Sequence, residues 1–235
     1  MTMSATVTEI GTAGRKAMAR SALERSSVYG LLAGVFRREV TPELLHELRQ
    51  PALVEALTAT GIALDRDFLE GPEEETLETL AVAYTALFIG PGKHIPPYAS
   101  VHMSESNDDL WGEATVWAKQ FIEAAGFDYA TDFHDLPDHL AVELELMRNL
   151  WAREAEAIEN GDSAAATAAG NLRATFVRDH LVRWLPPFCD KVAAGSQHPF
   201  YAEVAKLAKA LVQWEHAYPP ASTTSNTELA RVGEN

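Results

Sequence analysis

Apolar side chains in this sequence recur at steps of three and four residues, and no segment alternates at a step of two for long enough to form a strand. A chain patterned in this way buries its apolar faces by packing helix on helix, so the expected fold is all-α, a single-domain helical bundle. The pattern is clearest over Leu77, Leu80, Ala81, Tyr84, Leu87 and Phe88, where Gly90-Pro91 stops it. A second face runs from Leu110 through Ala114, Trp117, Ala118, Phe121 and Ile122 to Ala125, between Asn107-Asp108 and Gly126. Leu140, Leu144, Met147 and Trp151 make a third that ends near Gly161. Leu172, Phe176, His180, Leu181 and Trp184 make a fourth, expected to end at Pro186-Pro187. Val204, Ala205, Ala208, Leu211 and Val212 make a fifth. Ahead of these, Leu23, Leu31, Val35 and Phe36 predict one helix. Thr41-Pro42-Glu43 then opens a short one through Leu44, Leu45 and Leu48, with Thr as N-cap and Pro at the first helical position.

Residues 1–20 and 218–235 are polar and aperiodic, and are expected to be mobile ends around a helical domain at 21–217. Two connections, 89–106 and 126–136, are longer than a compact bundle needs, and long ordered loops are where function tends to sit. The net charge of −15 argues against a partner bound through a nucleic-acid backbone. That charge is local: Glu55 to Asp162 holds 23 acidic and 5 basic residues, a balance of 5 − 23 = −18. Such a concentration either solvates a surface or steers a cationic partner toward it. Arg15, Lys16, Arg20 and Arg25 are followed by no apolar signal-peptide core, and no stretch approaches the roughly 20 apolar residues of a membrane span. With the single cysteine Cys189 unable to form an intramolecular disulfide, the expected setting is the reducing cytoplasm, without stable membrane association.

Chemical motifs are sparse. Gly90-Pro91-Gly92-Lys93-His94 is not a phosphate-binding loop, because Leu87 and His94 stand where that motif needs Gly and Ser/Thr, and it follows a helix rather than a strand. No Gly-x-Ser-x-Gly elbow exists, and Cys189 reads as a buried structural thiol. His134, Asp135, Asp138, His139 and Glu143 are the best metal candidates, with His139 and Glu143 one helical turn apart, but neither a His-Glu-x-x-His nor a paired Glu-x-x-His arrangement is present. Trp111, Trp117, Trp151, Trp184 and Trp214 sit mostly at core spacing. The expectation is a protein that is not an enzyme, with no cofactor and no metal. A helical metalloenzyme on His134, Asp138, His139 and Glu143 is the alternative from another class.

Two segments go beyond generic helical patterning: YTALFIGPGKHIPPYASVH (84–102) and LPDHLAVELELM (136–147), with LWGEATVWAKQFIEAAGF (110–127) between them. Their order and spacing resemble the TorD/DmsD family of redox-enzyme maturation chaperones. The resemblance continues in WLPPFCDKVAAGSQHPFYAEVAKLAKALVQWE (184–215) and spans about residues 20–216. It implies a TorD-like helical chaperone that binds the twin-arginine leader, and often the apo form, of the catalytic subunit of a molybdenum-cofactor oxidoreductase. Such a chaperone assists cofactor insertion in the cytoplasm before export, as a monomer or as a domain-swapped dimer. In some members recognition rests on the body of a non-exported client. Carried over by the family pattern, the peptide-binding positions are Tyr84, Leu87, Phe88, Gly90, Pro91, Pro97, Tyr98, Pro137, Asp138 and His139, with Trp214 as an outlying one. Tyr84 and Tyr98 stand where some members have tryptophan.

The physical roles those positions suggest are separable. A leader with two adjacent arginines ahead of an apolar stretch needs carboxylates beside an apolar surface; Asp138 suits the arginine fork and is equally suited to cap a helix. Tyr84, Leu87, Phe88, Pro97 and Tyr98 are expected to supply apolar contact, Leu87 and Phe88 being equally readable as core.

Overall fold

The computed structural model describes residues 3–103, 112–127 and 136–220. Within them the chain forms eleven α-helices and no strand: α1 (Met3–Arg37), α2 (Pro42–Leu48), α3 (Pro51–Ala59), α4 (Arg66–Glu70), α5 (Glu73–Phe88), α6 (Ala99–Met103), α7 (Glu113–Ala124), α8 (Leu140–Asn160), α9 (Ser163–Phe176), α10 (Val182–Gly195) and α11 (Pro199–Ala217). The all-α expectation therefore holds among the described residues. The main packing partners are α1 with α8, α10 with α11, and α8 with α9.

Local chemistry explains most boundaries. Thr41 caps α2 by accepting from the Leu44 amide, and Pro42 occupies the first turn. Asp65 and Asp162 cap α4 and α9 in the same way. α8 ends at Gly161, which takes a left-handed conformation (φ 74°) that an L side chain would resist. Leu140, Leu144, Met147 and Trp151 are all buried, so the period read from the sequence is the core face of α8. Arg49 at the end of α2 donates to the carbonyls of Phe68 and Gly71 and to the Thr76 hydroxyl, tying α2, α4 and the start of α5 together.

Two sequence expectations need correction. Leu23 is half-exposed, and the core face of α1 is instead Ala22, Tyr29, Leu32, Val35 and Phe36. α1 begins at Met3, ahead of the apolar period from which it was read. Residues 11–18 are exposed, apart from half-buried Thr12, so that stretch of α1 carries no apolar period to be read. Finally, Pro186 and Pro187 do not end a helix but lie inside α10. A π-helical turn (Val177–Leu181) joins α9 to α10, and beyond it Trp184, Leu185, Phe188, Cys189 and Val192 are all buried. Five such burials at about 1.5–3 kcal/mol each outweigh the roughly 3 kcal/mol cost of each proline. The Leu110 and Asn107-Asp108 end of the face carried by α7 lies outside the described residues.

Four helices meet at a buried charge cluster. Glu215 of α11 accepts from the Tyr29 hydroxyl of α1 (2.9 Å) and the Trp151 indole of α8 (2.7 Å), and pairs with Arg173 of α9. Arg173 also bonds Glu154 (2.9 Å) and lies over the Trp151 ring. Burial and the neighbouring Glu215 carboxylate hold the Tyr29 hydroxyl well above its ordinary pKa, so it stays a donor. Removing one partner of such a pair leaves the other charge desolvated. Glu215→Ala is expected to lower unfolding free energy by about 3–5 kcal/mol, read by urea denaturation, with Glu215→Gln losing less.

Candidate functional site

The two motif segments fold into one unit. After α5 the chain turns sharply: the Gly90 amide donates to the Thr85 carbonyl at 2.6 Å, and a Cβ on Gly90 would sit 3.1 Å from that oxygen, so only glycine fits without a shift. The Ile95 amide returns to the Leu87 carbonyl (2.7 Å), which pins the far side of the loop to the end of α5. The segment then meets the start of α8 through an antiparallel bridge between Tyr98 and His139. Leu140 N donates to the Pro97 carbonyl (2.8 Å) and Ala99 N to the Asp138 carbonyl (3.0 Å).

Asp138 is fully buried at this junction. Its Oδ2 accepts from the Ser100 amide (2.9 Å), in the first turn of α6, whereas Oδ1 has no hydrogen-bond partner among the described residues. The Ser100 hydroxyl is likewise buried and has no hydrogen-bond partner among the described residues. The capping role that suits Asp138 therefore goes to a different helix from the one that follows it: α8 is capped by His139, whose Nδ1 accepts from Ala141 N (3.1 Å). With Nδ1 accepting, the ring proton sits on Nε2. The Tyr98 ring stands edge-on to the His139 ring at 4.9 Å.

One turn further, Glu143 is also fully buried. It bonds His180 Nε2 (2.5 Å) and the Trp184 indole (3.0 Å), so it braces α8 against the π-helical turn and α10. Burial pushes the Glu143 carboxyl up to about 7; His180 and Trp184 pull it down, and the Asp138 charge adds to the rise. The His180 ring is stacked on Trp117 at 4.9 Å. On the other side of Trp184, His102 stacks on the indole (5.7 Å), contacts the Pro96 carbonyl through Nε2 (2.8 Å) and meets Lys191 Nζ at Nδ1 (3.3 Å). Burial, with Lys191 adding, lowers the His102 pKa, which favours the neutral ring that can donate to Pro96 and accept from Lys191.

The remaining sequence-predicted positions divide by exposure. Tyr84, Leu87 and Phe88 are buried: the Tyr84 hydroxyl donates to the Phe36 carbonyl (3.1 Å), and the Phe88 ring packs on those of Phe36, Tyr84, Phe188 and Tyr201. Pro97 and Pro137 are buried, Tyr98 is half-buried and Pro91 is exposed. Trp214 lies apart, at the end of α11, where it and Trp151 hold the Arg25 guanidinium between their rings (4.8 and 5.0 Å). His134 and Asp135 of the metal alternative lie outside the described residues. Among the described ones no group of three metal-ligating side chains forms, and His139 and Glu143 are engaged as above. Cys189 is buried and its thiol is pushed up to about 12, chiefly by burial, so it is no nucleophile at neutral pH. Ser100, His102 and His180 are the site-region residues that sequence reasoning missed. The SVH run after Tyr98 was the available signal for two of them.

A family model described as nitrate reductase delta subunit matches residues 41–190, well over half of the chain. The chain belongs to this family, that of the TorD-type redox-enzyme maturation chaperones. Curated relatives of this TorD-family chain include the chaperone protein TorD of Shewanella piezotolerans, 27% identical over 86% of this chain and 94% of that one. The chaperone protein TorD of Photobacterium profundum is 27% identical, over 83% and 94%. The fold resembles that of a redox enzyme maturation protein from Archaeoglobus fulgidus, with TM-score 0.51 and 22% identity over 80% of this chain and 93% of that one. These relatives are named as chaperones, in keeping with a TorD-family member that is not an enzyme. Among the described residues no helix is long and apolar enough to cross a membrane.

The Glu143 carboxyl supplies a test with a definite sign. Its folded pKa lies above the ordinary carboxylate value, so the folded state holds the proton more tightly than the unfolded one. This contribution to stability is complete below about 4.5 and is lost as pH rises to about 7. Glu143→Gln is expected to flatten the decline in unfolding free energy across that window, measured by urea denaturation at a series of pH values.

Proposed function

We propose that this chain is a cytoplasmic chaperone for the catalytic subunit of a molybdenum-cofactor oxidoreductase, binding its twin-arginine leader and its apo form and assisting cofactor insertion before export. The observation that carries the reading is the union of the two family motifs in one buried-carboxylate junction, on a chain whose curated relatives are TorD chaperones. The roles within the proposed peptide site follow from burial. Tyr84, Leu87 and Phe88 support the site from beneath as core. Gly90, Pro91, Pro97 and Pro137 shape the loop and hold it extended without a ladder of hydrogen bonds. Tyr98 presents a half-buried edge, His139 lies buried against it, and Asp138 supplies the negative charge behind them. Trp214, remote from this junction, is at most an accessory contact.

Magnitudes divide the labour of such a site. Exposed ion pairs contribute roughly 0.2–1 kcal/mol each, whereas burial of one leader Leu or Phe contributes about 1.5–3 kcal/mol. Charge on the acidic middle of the chain therefore sets encounter rate and orientation, and apolar contact sets residence time.

One buried feature favours a second reading, in which the client's body is the main determinant: Tyr84, Leu87, Phe88 and Asp138 are covered, so the motif as it stands offers a peptide little apolar area. Titration calorimetry with a synthetic leader separates the two. A twin-arginine peptide is expected to bind, and its Gln-Gln counterpart to bind at least several-fold more weakly; equal affinities would remove leader recognition. Asp138→Ala is expected to weaken leader binding while far-UV circular dichroism keeps its helical amplitude.

A further inference from the structure

The outer face of α5 is an unpartnered stripe of divided character. Glu75, Glu78, Val82, Ala86 and Ile89 all lie within about 40° of one line along the helix, and the line runs about 21 Å from Glu75 to Ile89. All five are exposed, with Val82 at 64% and Ile89 at 63%. Val82 and Ile89 are two of the seven large hydrophobic side chains exposed among the described residues, and they share one line with Ala86 between them. The helix turns Tyr84, Leu87 and Phe88 inward from the same segment, so this stripe is the part of the motif helix that solvent or a partner can reach.

Charge along the stripe is ordered. Its N-terminal end carries Glu75 and Glu78, with Glu73 and Glu74 in the same first turn, and neither Glu75 nor Glu78 is held in a salt bridge among the described residues. Glu39 stands at its flank, accepting from the Thr85 hydroxyl (3.1 Å). The C-terminal end is apolar, and beyond it Lys93 follows the Gly90 turn, exposed. We propose that this stripe docks a peptide segment with paired arginines ahead of an apolar run, the arginines at the Glu75–Glu78 end and the apolar residues over Val82, Ala86 and Ile89. Lys93 disfavours the reverse polarity by repelling arginines from the Ile89 end. The proposal rests on the leader-binding reading above and moves the direct contact from the buried motif residues to the exposed side of the same helix.

The test uses the full chain and two synthetic peptides, one with Arg-Arg followed by an apolar run of Leu, Ala and Val, and one with Gln-Gln in place of the arginines. Val82→Asp and Ile89→Asp are each expected to weaken the Arg-Arg peptide about tenfold or more. Glu75→Gln with Glu78→Gln is expected to weaken that peptide about two- to fivefold and to leave the Gln-Gln peptide unchanged. Thermal melts check that these surface variants stay folded, and Val82→Ser serves if an aspartate does not. If wild type binds the Arg-Arg peptide and every variant binds it equally well, this face is not the dock, although leader recognition stands. If wild type binds neither peptide, both readings fall. If Val82→Asp converts a dimer to a monomer in sedimentation without changing peptide affinity, the face joins two copies and the proposal is overturned.

Discussion

The junction between the motif loop and α8 depends on one desolvated carboxylate. Asp138 is wholly removed from water, yet only one of its oxygens has a hydrogen-bond partner among the described residues. A group in that position persists because the surrounding structure holds it there. The bridge between Tyr98 and His139, the His139 cap on α8 and the Ser100 amide at the start of α6 converge on it from three elements. The loop after α5 is long in sequence but tethered at both ends, by Ile95 to Leu87 and by Pro97 to Leu140. It is a supported wall rather than a free loop.

Behind that wall the packing is wired rather than merely apolar. Glu143 links α8 to His180 in the π-helical turn and to Trp184 in α10, and His102 on α6 stacks on the same indole. A π-helical turn directly precedes the helix that carries both prolines, and π-turns recur where a helix serves a site. The Glu215–Arg173 cluster does the corresponding work at the α1, α8, α9 and α11 contact. Both clusters commit α8 to its neighbours, which leaves surface recognition to the elements around its start. There the exposed groups are the loop and the outer side of α5.

The fold class was legible because helical periodicity is a local property: the α5, α8 and α11 faces could be read residue by residue. Failures came where distant chain segments decide. Pro186 and Pro187 look like a helix end, yet the burial of Trp184 and Phe188 by other helices overrides them. Leu23 fits the period of α1 but is left exposed. At the site, neighbouring Asp138 and His139 both look like caps, and only the crossing of residues 97–100 determines that His139 caps α8 while Asp138 serves α6. Family resemblance pointed to Tyr84, Leu87 and Phe88 as contacts although their spacing also placed them on the apolar face of α5, and their burial decides for support. His102 stands in a motif run and His180 on an apolar helix face, but their roles do not follow from either, because the chain brings Lys191 to the one and Glu143 to the other only on folding.

Leader recognition is assigned to the unit formed by α5 and the loop that Asp138 anchors to α8. Amide hydrogen exchange of the full chain with and without a twin-arginine leader peptide tests it most directly. Slowed exchange is expected along α5, in residues 95–103 and in the first turn of α8, with the other helices unchanged. Protection confined to α1, α9 or the end of α11, with none at the junction, would contradict it.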